Sequence, residues 1–189
     1  MKKISLLFVV LMIVTLASCS TLGAILGAME TQHVAYVMDE SSDIYGEHRT
    51  VAILVNKKTE GLAASDFATR FLREELNGEV VSYGIQFREQ DNLTNDGYYY
   101  MTMFPLIRVD GVVYDFPLES LPEYQFAGDI RFKEVEVTLS DEAVEALKNA
   151  QSIAVQFYSV NDVDQLIEFS EEDVQATRDF FNGVLDVEE

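Results

Sequence analysis

Residues 105–116 read PLIRVDGVVYDF, two apolar runs separated by Asp110-Gly111. Aspartate and glycine tolerate the positive φ angles of a two-residue turn, so this dipeptide predicts a β-hairpin. The residue pairs that such a turn sets are Val109 with Val112 and Ile107 with Tyr114. These pairs place the apolar side chains on one face, so the turn and the hydrophobic pattern agree. The sequence therefore predicts antiparallel strands over Tyr98–Asp110 and Val112–Phe116.

Further strands are predicted on both sides of this hairpin, from period-two alternation or short apolar runs. They are Val34–Met38, Thr50–Val55, Val81–Phe87, Ile130–Leu139, Ile153–Tyr158 and Gln165–Phe169. In Ile130–Leu139 the apolar positions change parity along the strand, which predicts a β-bulge near Lys133.

Three helices are predicted. In Ala64–Asn77 the apolar residues recur at three- and four-residue spacing, and Gly78 follows where a C-terminal glycine belongs. Ser140 and Ser170 each precede acidic residues and a helical pattern, which predicts two N-capped helices. The expected fold is α+β, an antiparallel or mixed β-sheet with about three helices packed on it. A β-sandwich with peripheral helices is the alternative.

Composition limits the function classes. The chain has 189 residues, of which 48% are hydrophobic, and this profile is typical of one globular domain. Its 13 basic and 33 acidic residues give a formal charge of −20, which argues against nucleic-acid binding because affinity for phosphate comes from lysine and arginine. One cysteine excludes a disulfide framework and a cysteine-rich zinc site.

The amino terminus has the pattern of a secretory signal. Met1-Lys2-Lys3 is basic, Ile4–Ala17 is mainly apolar, and small residues precede Cys19. The apolar stretch is shorter than the ~20 residues that span a bilayer. Leu16-Ala17-Ser18-Cys19 resembles the lipobox of the bacterial lipoprotein class. The resemblance implies diacylation of the Cys19 thiol, cleavage before Cys19 and acylation of the new amino terminus.

This resemblance sets the expected organisation of the chain. Residues 1–18 are the signal peptide, residues 19–32 are the lipidated cysteine with a short tether, and residues 33–189 are a single α+β domain. Loss of Lys2 and Lys3 leaves 11 basic and 33 acidic residues, a charge of −22. The membrane partner is reached through two or three acyl chains. Ser20 resembles the sorting pattern for the outer membrane in diderm bacteria; otherwise we expect the outer face of the cytoplasmic membrane.

No catalytic or metal motif stands out. The chain lacks a Gly-x-Ser-x-Gly turn and a phosphate-binding glycine loop. His33 and His48 lack the spacing of a metal pair and are interpreted as exposed loop residues, with His48 in a polar loop over Asp43–Arg49. The acidic loop Asp91–Gly97 fails as a calcium loop because Met103 stands where a bidentate glutamate is needed, and Asn161–Asp164 is similarly weak. We therefore expect neither a metal nor a cofactor.

The densest aromatic stretch begins with Tyr98, Tyr99 and Tyr100 and continues to Phe104. On a strand both faces of this stretch are apolar, which fits a central strand buried on both sides. The other interpretation is a partner-binding surface, since tyrosine and methionine are enriched at interfaces.

Two functions follow from these patterns. The first is a lipid-anchored bacterial envelope protein with a non-enzymatic binding or scaffolding role toward an envelope protein or a small ligand. The alternative is an extracytoplasmic acid/base hydrolase that uses aspartate and glutamate, the abundant reactive groups of the chain. A deep cleft that holds two carboxylates with shifted pKa values would favour the hydrolase.

Overall fold

The fold is predominantly β. A computed structural model describes residues 32–60, 65–92, 105–116, 124–127, 130–157 and 165–188, and Gln32–Glu189 form one compact unit. The strands are β1 Ala35–Asp43, β2 Gly46–Glu60, β3 Ser65–Leu76, β4 Glu79–Asn92, β5 Leu106–Val109, β6 Val112–Tyr114, β7 Gln125–Ala127, β8 Ile130–Thr138, β9 Ile153–Phe157, β10 Gln165–Glu168 and β11 Val187–Glu188. The helices are α1 Asp141–Asn149 and α2 Glu171–Phe181. Within these residues no helix is long and apolar enough to cross a membrane.

The strands form two sheets. The larger has the order β11-β1-β2-β3-β4-β8-β7, and it is curled into a half-barrel. Its neighbours are antiparallel apart from β11, which runs parallel to β1. The smaller sheet has the order β10-β9-β5-β6 and is wholly antiparallel. Consecutive strands β1 to β4 are adjacent, so this meander is built from local connections.

One core joins both sheets and both helices. The larger sheet contributes Ile53, Phe71 and Phe87, the smaller sheet Ile107 and Val155, and the helices Leu147, Phe180 and Phe181; all are at most 2% exposed. Phe71 packs edge-on against Phe181 with ring centroids 5.0 Å apart, and Phe87 meets Phe116 at 5.7 Å. Helix α2 and the segment that follows β6 therefore both contact the same face of the larger sheet.

The predicted α+β architecture is wrong, because the predicted helix Ala64–Asn77 is strand β3. Residues four apart share a face on a strand as well as on a helix, so the spacing of Phe67 and Phe71 fits both. Strand β3 is also buried on its other face, at Ala68 and Leu72, which hides the period of two. Asn77-Gly78, expected to end a helix, is the turn between β3 and β4, with positive φ at both residues. The described residues contain two helices rather than about three.

The predicted bulge near Lys133 is also wrong, because β8 pairs with β4 without a register shift. Lys133 occupies a core-facing position opposite Glu89, and both residues are buried. Its ammonium nitrogen lies 4.3 Å from the ring centroid of Tyr124, whose hydroxyl donates to Glu89 Oε2 at 2.8 Å. Burial lowers the pKa of Lys133, and attraction to Glu89 opposes that shift. The apolar positions of β8 change parity because Lys133, opposite Glu89, occupies a core-facing position, and not because the strand has a bulge.

Three other local predictions are confirmed, whereas residues 98–104 of the predicted strand Tyr98–Asp110 lie outside the described residues. Asp110 and Gly111 have φ angles of 49° and 83°, and strands β5 and β6 have the predicted register. Ser140 accepts from the backbone N–H of Ala143 at the start of α1. Ser170 forms a reciprocal capping box with Asp173 at the start of α2.

Candidate binding surface

Two apolar residues form the tip of the β1–β2 hairpin. Asp43 pairs with Gly46, and Ile44 and Tyr45 between them are 91% and 74% exposed. The Asp43 carboxylate accepts from the backbone N–H of Tyr45 at 2.7 Å and lies 3.3 Å from His48 Nε2. The Tyr45 N–H is the main cause of a lowered pKa at Asp43, and His48 and Gly46 act in the same direction. The ionised aspartate thus holds the turn that exposes both apolar side chains.

The neighbouring hairpin holds this tip in place. The Asn77 N–H donates to the Glu47 carbonyl at 2.8 Å, and the Glu47 N–H donates to the Asn77 side chain at 3.0 Å. Gly46 lies so close that an added Cβ would be 2.2 Å from Asn77 Oδ1, and its φ of 140° also favours glycine. Two hairpin ends are therefore fixed to each other at the same end of the larger sheet.

A β-bulge exposes two more apolar residues near this end. Glu74 pairs with Ser82 but Glu75 pairs with Val80, so Val81 is the extra residue. Bulges redirect side chains, and Val80 and Val81 are 47% and 58% exposed. We call Ile44, Tyr45, Val80 and Val81 together the apolar end of the sheet.

A groove of about 410 Å³ adjoins Val80 and Val81, between strands β4 and β8 and helix α1. Its apolar residues include Tyr83, Leu139 and Val144, and polar residues form the rest of its lining. The polar lining residues are Ser82, Thr138, Asp141, Glu145 and Lys148. This volume lies within the ~300–1,000 Å³ of small-molecule sites, and it also suits an apolar side chain of a partner.

One ion pair fixes Lys148, the cation among the described residues that line this groove. Lys148 Nζ lies 2.6 Å from Glu145 Oε1. The hydrogen bond to Glu145 raises the pKa of Lys148, and the charges of Glu145 and Asp141 act in the same direction. The described lining of this groove therefore contains two acidic side chains, Asp141 and Glu145, and one charged lysine.

A second groove, of about 650 Å³, lies along α2 near the first described residues. His33 lines it, and its Nε2 lies 2.7 Å from Oδ1 of the buried Asp173. The other oxygen of Asp173 accepts from the Ser170 N–H and hydroxyl, both at 2.8 Å. A histidine that a buried aspartate orients is one part of a general-base arrangement.

The carboxyl groups with shifted pKa values, which would mark the site of a hydrolase, lie outside the described lining of both grooves. Among the described residues, the carboxyl group with a clearly raised pKa is that of Glu136, through burial and the nearby Glu74 and Glu134. Glu136 lies on β8, where it accepts from Gln86, and it lines neither groove. No group of three or more metal-binding side chains is present in the part of the chain that the structure describes.

No family model, curated protein or solved structure matches this chain.

The site residues predicted from sequence lie outside the described residues. These are the lipidation site Cys19 and the aromatic residues Tyr98, Tyr99 and Tyr100. The calcium-loop candidates also fall there, apart from Asp91 and Asn92 at the end of β4. The two histidines differ from the expected exposed loop residues: His33 is part of the contact with Asp173, and His48 is half-buried in strand β2.

The apolar end was missed by sequence reasoning. Residues 43–49 were interpreted as a polar loop, although Ile44-Tyr45 stands directly between aspartate and glycine. Hairpin turns favour Gly, Asn, Asp and Ser, so an apolar pair at a turn is an informative signal. Val81 carries no such signal, because its exposure depends on the register between β3 and β4.

Proposed function

We propose that this chain is a lipid-anchored bacterial envelope protein with a non-enzymatic binding or scaffolding role. The proposal of an anchor rests on Leu16-Ala17-Ser18-Cys19. Acyl chains would hold the protein on the membrane, because an acidic surface cannot bind anionic lipid headgroups electrostatically. The binding role rests on the apolar end, where large apolar side chains are exposed on a fixed pair of hairpins.

The position of the apolar end carries the proposal. The described chain begins at Gln32, and strand β1 then runs nine residues to Asp43. At ~3.3 Å per residue this strand separates Ala35 from the hairpin tip by about 30 Å. A tether attached at residue 32 therefore leaves Ile44 and Tyr45 at the far end of a rigid strand, where a partner can reach them.

The hydrolase is the weaker candidate. The carboxylates with shifted pKa values that would mark its site are not paired in either groove. The His33–Asp173 contact offers a base, but it is also explained by capping of α2 and by docking of the segment before β1 against that helix. Binding therefore explains more of the exposed surface.

Capture of partners from membranes tests the binding role. The full chain is crosslinked in its own cells, isolated and analysed by mass spectrometry, and compared with the double variant Ile44→Ser/Tyr45→Ser. We expect a specific envelope partner whose yield falls about tenfold in the variant, since aromatic and apolar residues dominate interface energies. Val184→Ser is the matched control, because Val184 is 68% exposed and lies near the carboxyl end.

Two further arms complete the test. Tyr99→Ser and Tyr100→Ser lower thermal stability if that stretch is buried, but weaken capture at unchanged stability if it contacts the partner.

Labelled palmitate should enter the wild-type protein and not Cys19→Ala. Equal capture by the wild type and all tyrosine and tip variants contradicts the binding surface, and equal labelling contradicts the anchor.

A further inference from the structure

The outer face of the smaller sheet has a pattern that complements itself. Strands β5, β9 and β10 turn Ile107, Val155 and Ile167 into the core, so the alternate residues of these strands face outward. Two rows of outward residues cross the sheet, as its register shows. One row is Glu168, Ala154 and Arg108, and the other is Leu166, Gln156 and Leu106. Each row is centred on β9, with one member on each flanking strand.

Four of the seven outward residues of this face are apolar, and its two charges cancel, in contrast with the acidic chain. Leu166 and Val113 are 45% and 48% exposed, and Leu106 and Ala154 are partly exposed. These side chains, with Gln156, meet in a shallow depression across all four strands. The charged side chains of the two rows are one cation, Arg108, and one anion, Glu168. Isolated exposed apolar residues are common on monomers, but a continuous apolar face usually marks an interaction surface.

A second copy of the chain fits both rows at once. A two-fold axis parallel to β9, placed above Ala154, reverses the order of the strands and keeps each row in place. Arg108 then faces Glu168 of the second copy, and Leu106 faces Leu166 of the second copy. Ala154 faces Ala154 of the second copy, where the small side chains permit close approach. Gln156 faces Gln156 of the second copy, and a side-chain amide can both donate and accept a hydrogen bond.

We propose that this outer face is a homodimer interface, formed by packing the two small sheets face to face. Sheets packed face to face lie about 10 Å apart. From strand spacing and rise, the footprint is on the order of 300 Å², well below the ~800 Å² per partner of a stable complex. The dimer is therefore weak in solution and populated on a membrane, where anchoring raises the local concentration. This condition rests on the proposed lipid anchor.

Photo-crosslinking in membranes tests the interface. In the full chain, Leu166 is replaced by p-benzoylphenylalanine, the membranes are irradiated, and the products are analysed by gel and mass spectrometry. We expect an adduct of twice the monomer mass, joined at or beside Leu106 of the second copy. The same replacement at Val81, which is exposed on the larger sheet, should give no self-adduct.

Charge reversal tests the symmetry. Arg108→Glu places two carboxylates opposite each other and should lower the crosslinked fraction about tenfold, since like charges across an interface are strongly unfavourable. Arg108→Glu combined with Glu168→Arg restores the attraction and should recover the wild-type fraction. Arg178→Glu is the matched control, because it makes the same charge change on helix α2.

Palmitate labelling of the same membranes separates the dimer from the anchor. Labelled protein without a self-adduct, or with an adduct to a different protein, overturns the dimer and leaves the anchor intact. A self-adduct at Leu106 on unlabelled protein supports the dimer and overturns the anchor. Neither label nor adduct overturns both.

Discussion

At the scale of single residues, His33 and His48 each lie beside an aspartate in different surroundings. His33 Nε2 is 2.7 Å from Asp173, whose side chain is 6% exposed. His48 Nε2 is 3.3 Å from Asp43, whose side chain is 51% exposed. A buried carboxylate that loses a partner keeps its desolvation cost, whereas an exposed one is rehydrated.

We therefore expect His33→Ala to lower the free energy of unfolding by about 1–3 kcal/mol. His48→Ala removes a contact at the surface and should cost less than ~1 kcal/mol. Urea denaturation of both variants at neutral pH measures the difference. Equal losses would show that burial of Asp173 does not control the energy of the His33 contact.

The same residues show the limit of sequence reasoning at this scale. Ser170 and Asp173 are three positions apart, and the cap that they form was predictable from the serine and the acidic residues of the first turn. His33 and Asp173 are 140 positions apart, so no local spacing indicates their contact. It forms because the segment before β1 and helix α2 meet only in the folded chain.

At the scale of elements, strand β8 and helix α1 carry glutamates with opposite pKa shifts. Burial raises the pKa of Glu136, and the charges of Glu74 and Glu134 add to this effect. Its own backbone N–H and the Ser140 hydroxyl lower the pKa of Glu142 at the start of α1. The folded state thus favours the protonated form of Glu136 and the ionised form of Glu142.

These shifts predict opposite pH dependences. The contribution of Glu136 to stability is present below its ordinary pKa and is lost as the pH rises through the raised value. The contribution of Glu142 to stability is present above its ordinary pKa and is lost as the pH falls through the lowered value. Relative to wild type, Glu136→Gln should therefore gain thermal stability as the pH rises from about 4 to 7, and Glu142→Gln should lose it. Melting curves across this range test the two slopes, and slopes of the same sign contradict the assignment.

The elements themselves were predictable where their signals are local. The β5–β6 hairpin depends on Asp110-Gly111 and on adjacent alternating residues, and its register was correct. Strand β3 was mistaken for a helix because both of its faces contain buried apolar residues, which hides the period of two. The spacing of apolar residues that remains fits a helix as well as a strand.

At the scale of the whole molecule, the charge of −20 acts against compactness. Like charges on the surface repel one another, and folding brings them closer than in the unfolded chain. Salt weakens this repulsion, since the Debye length falls from ~30 Å at 0.01 M to ~3 Å at 1 M. Sodium chloride screens charge without the strong effect of sulfate on apolar burial.

We therefore expect the melting temperature of the full chain to rise between about 0.01 M and 1 M sodium chloride. The rise should be steepest at low salt, where the Debye length changes most. Differential scanning fluorimetry across this range measures it. A falling melting temperature would show that attractive ion pairs, such as Arg73 with Glu75, outweigh the net repulsion.

Strand β1 gives the proposed anchor and the apolar end a direct mechanical link. The strand is extended between Ala35 and Asp43, and an extended chain is already close to its maximum length of ~3.3–3.6 Å per residue. Tension between a tether at residue 32 and a partner held at Ile44 and Tyr45 runs along this covalent backbone. The strand can therefore lengthen only slightly under tension. A pull on the tip is therefore transmitted along β1 to Ala35, and from there to the proposed tether at residue 32, mainly by the covalent backbone.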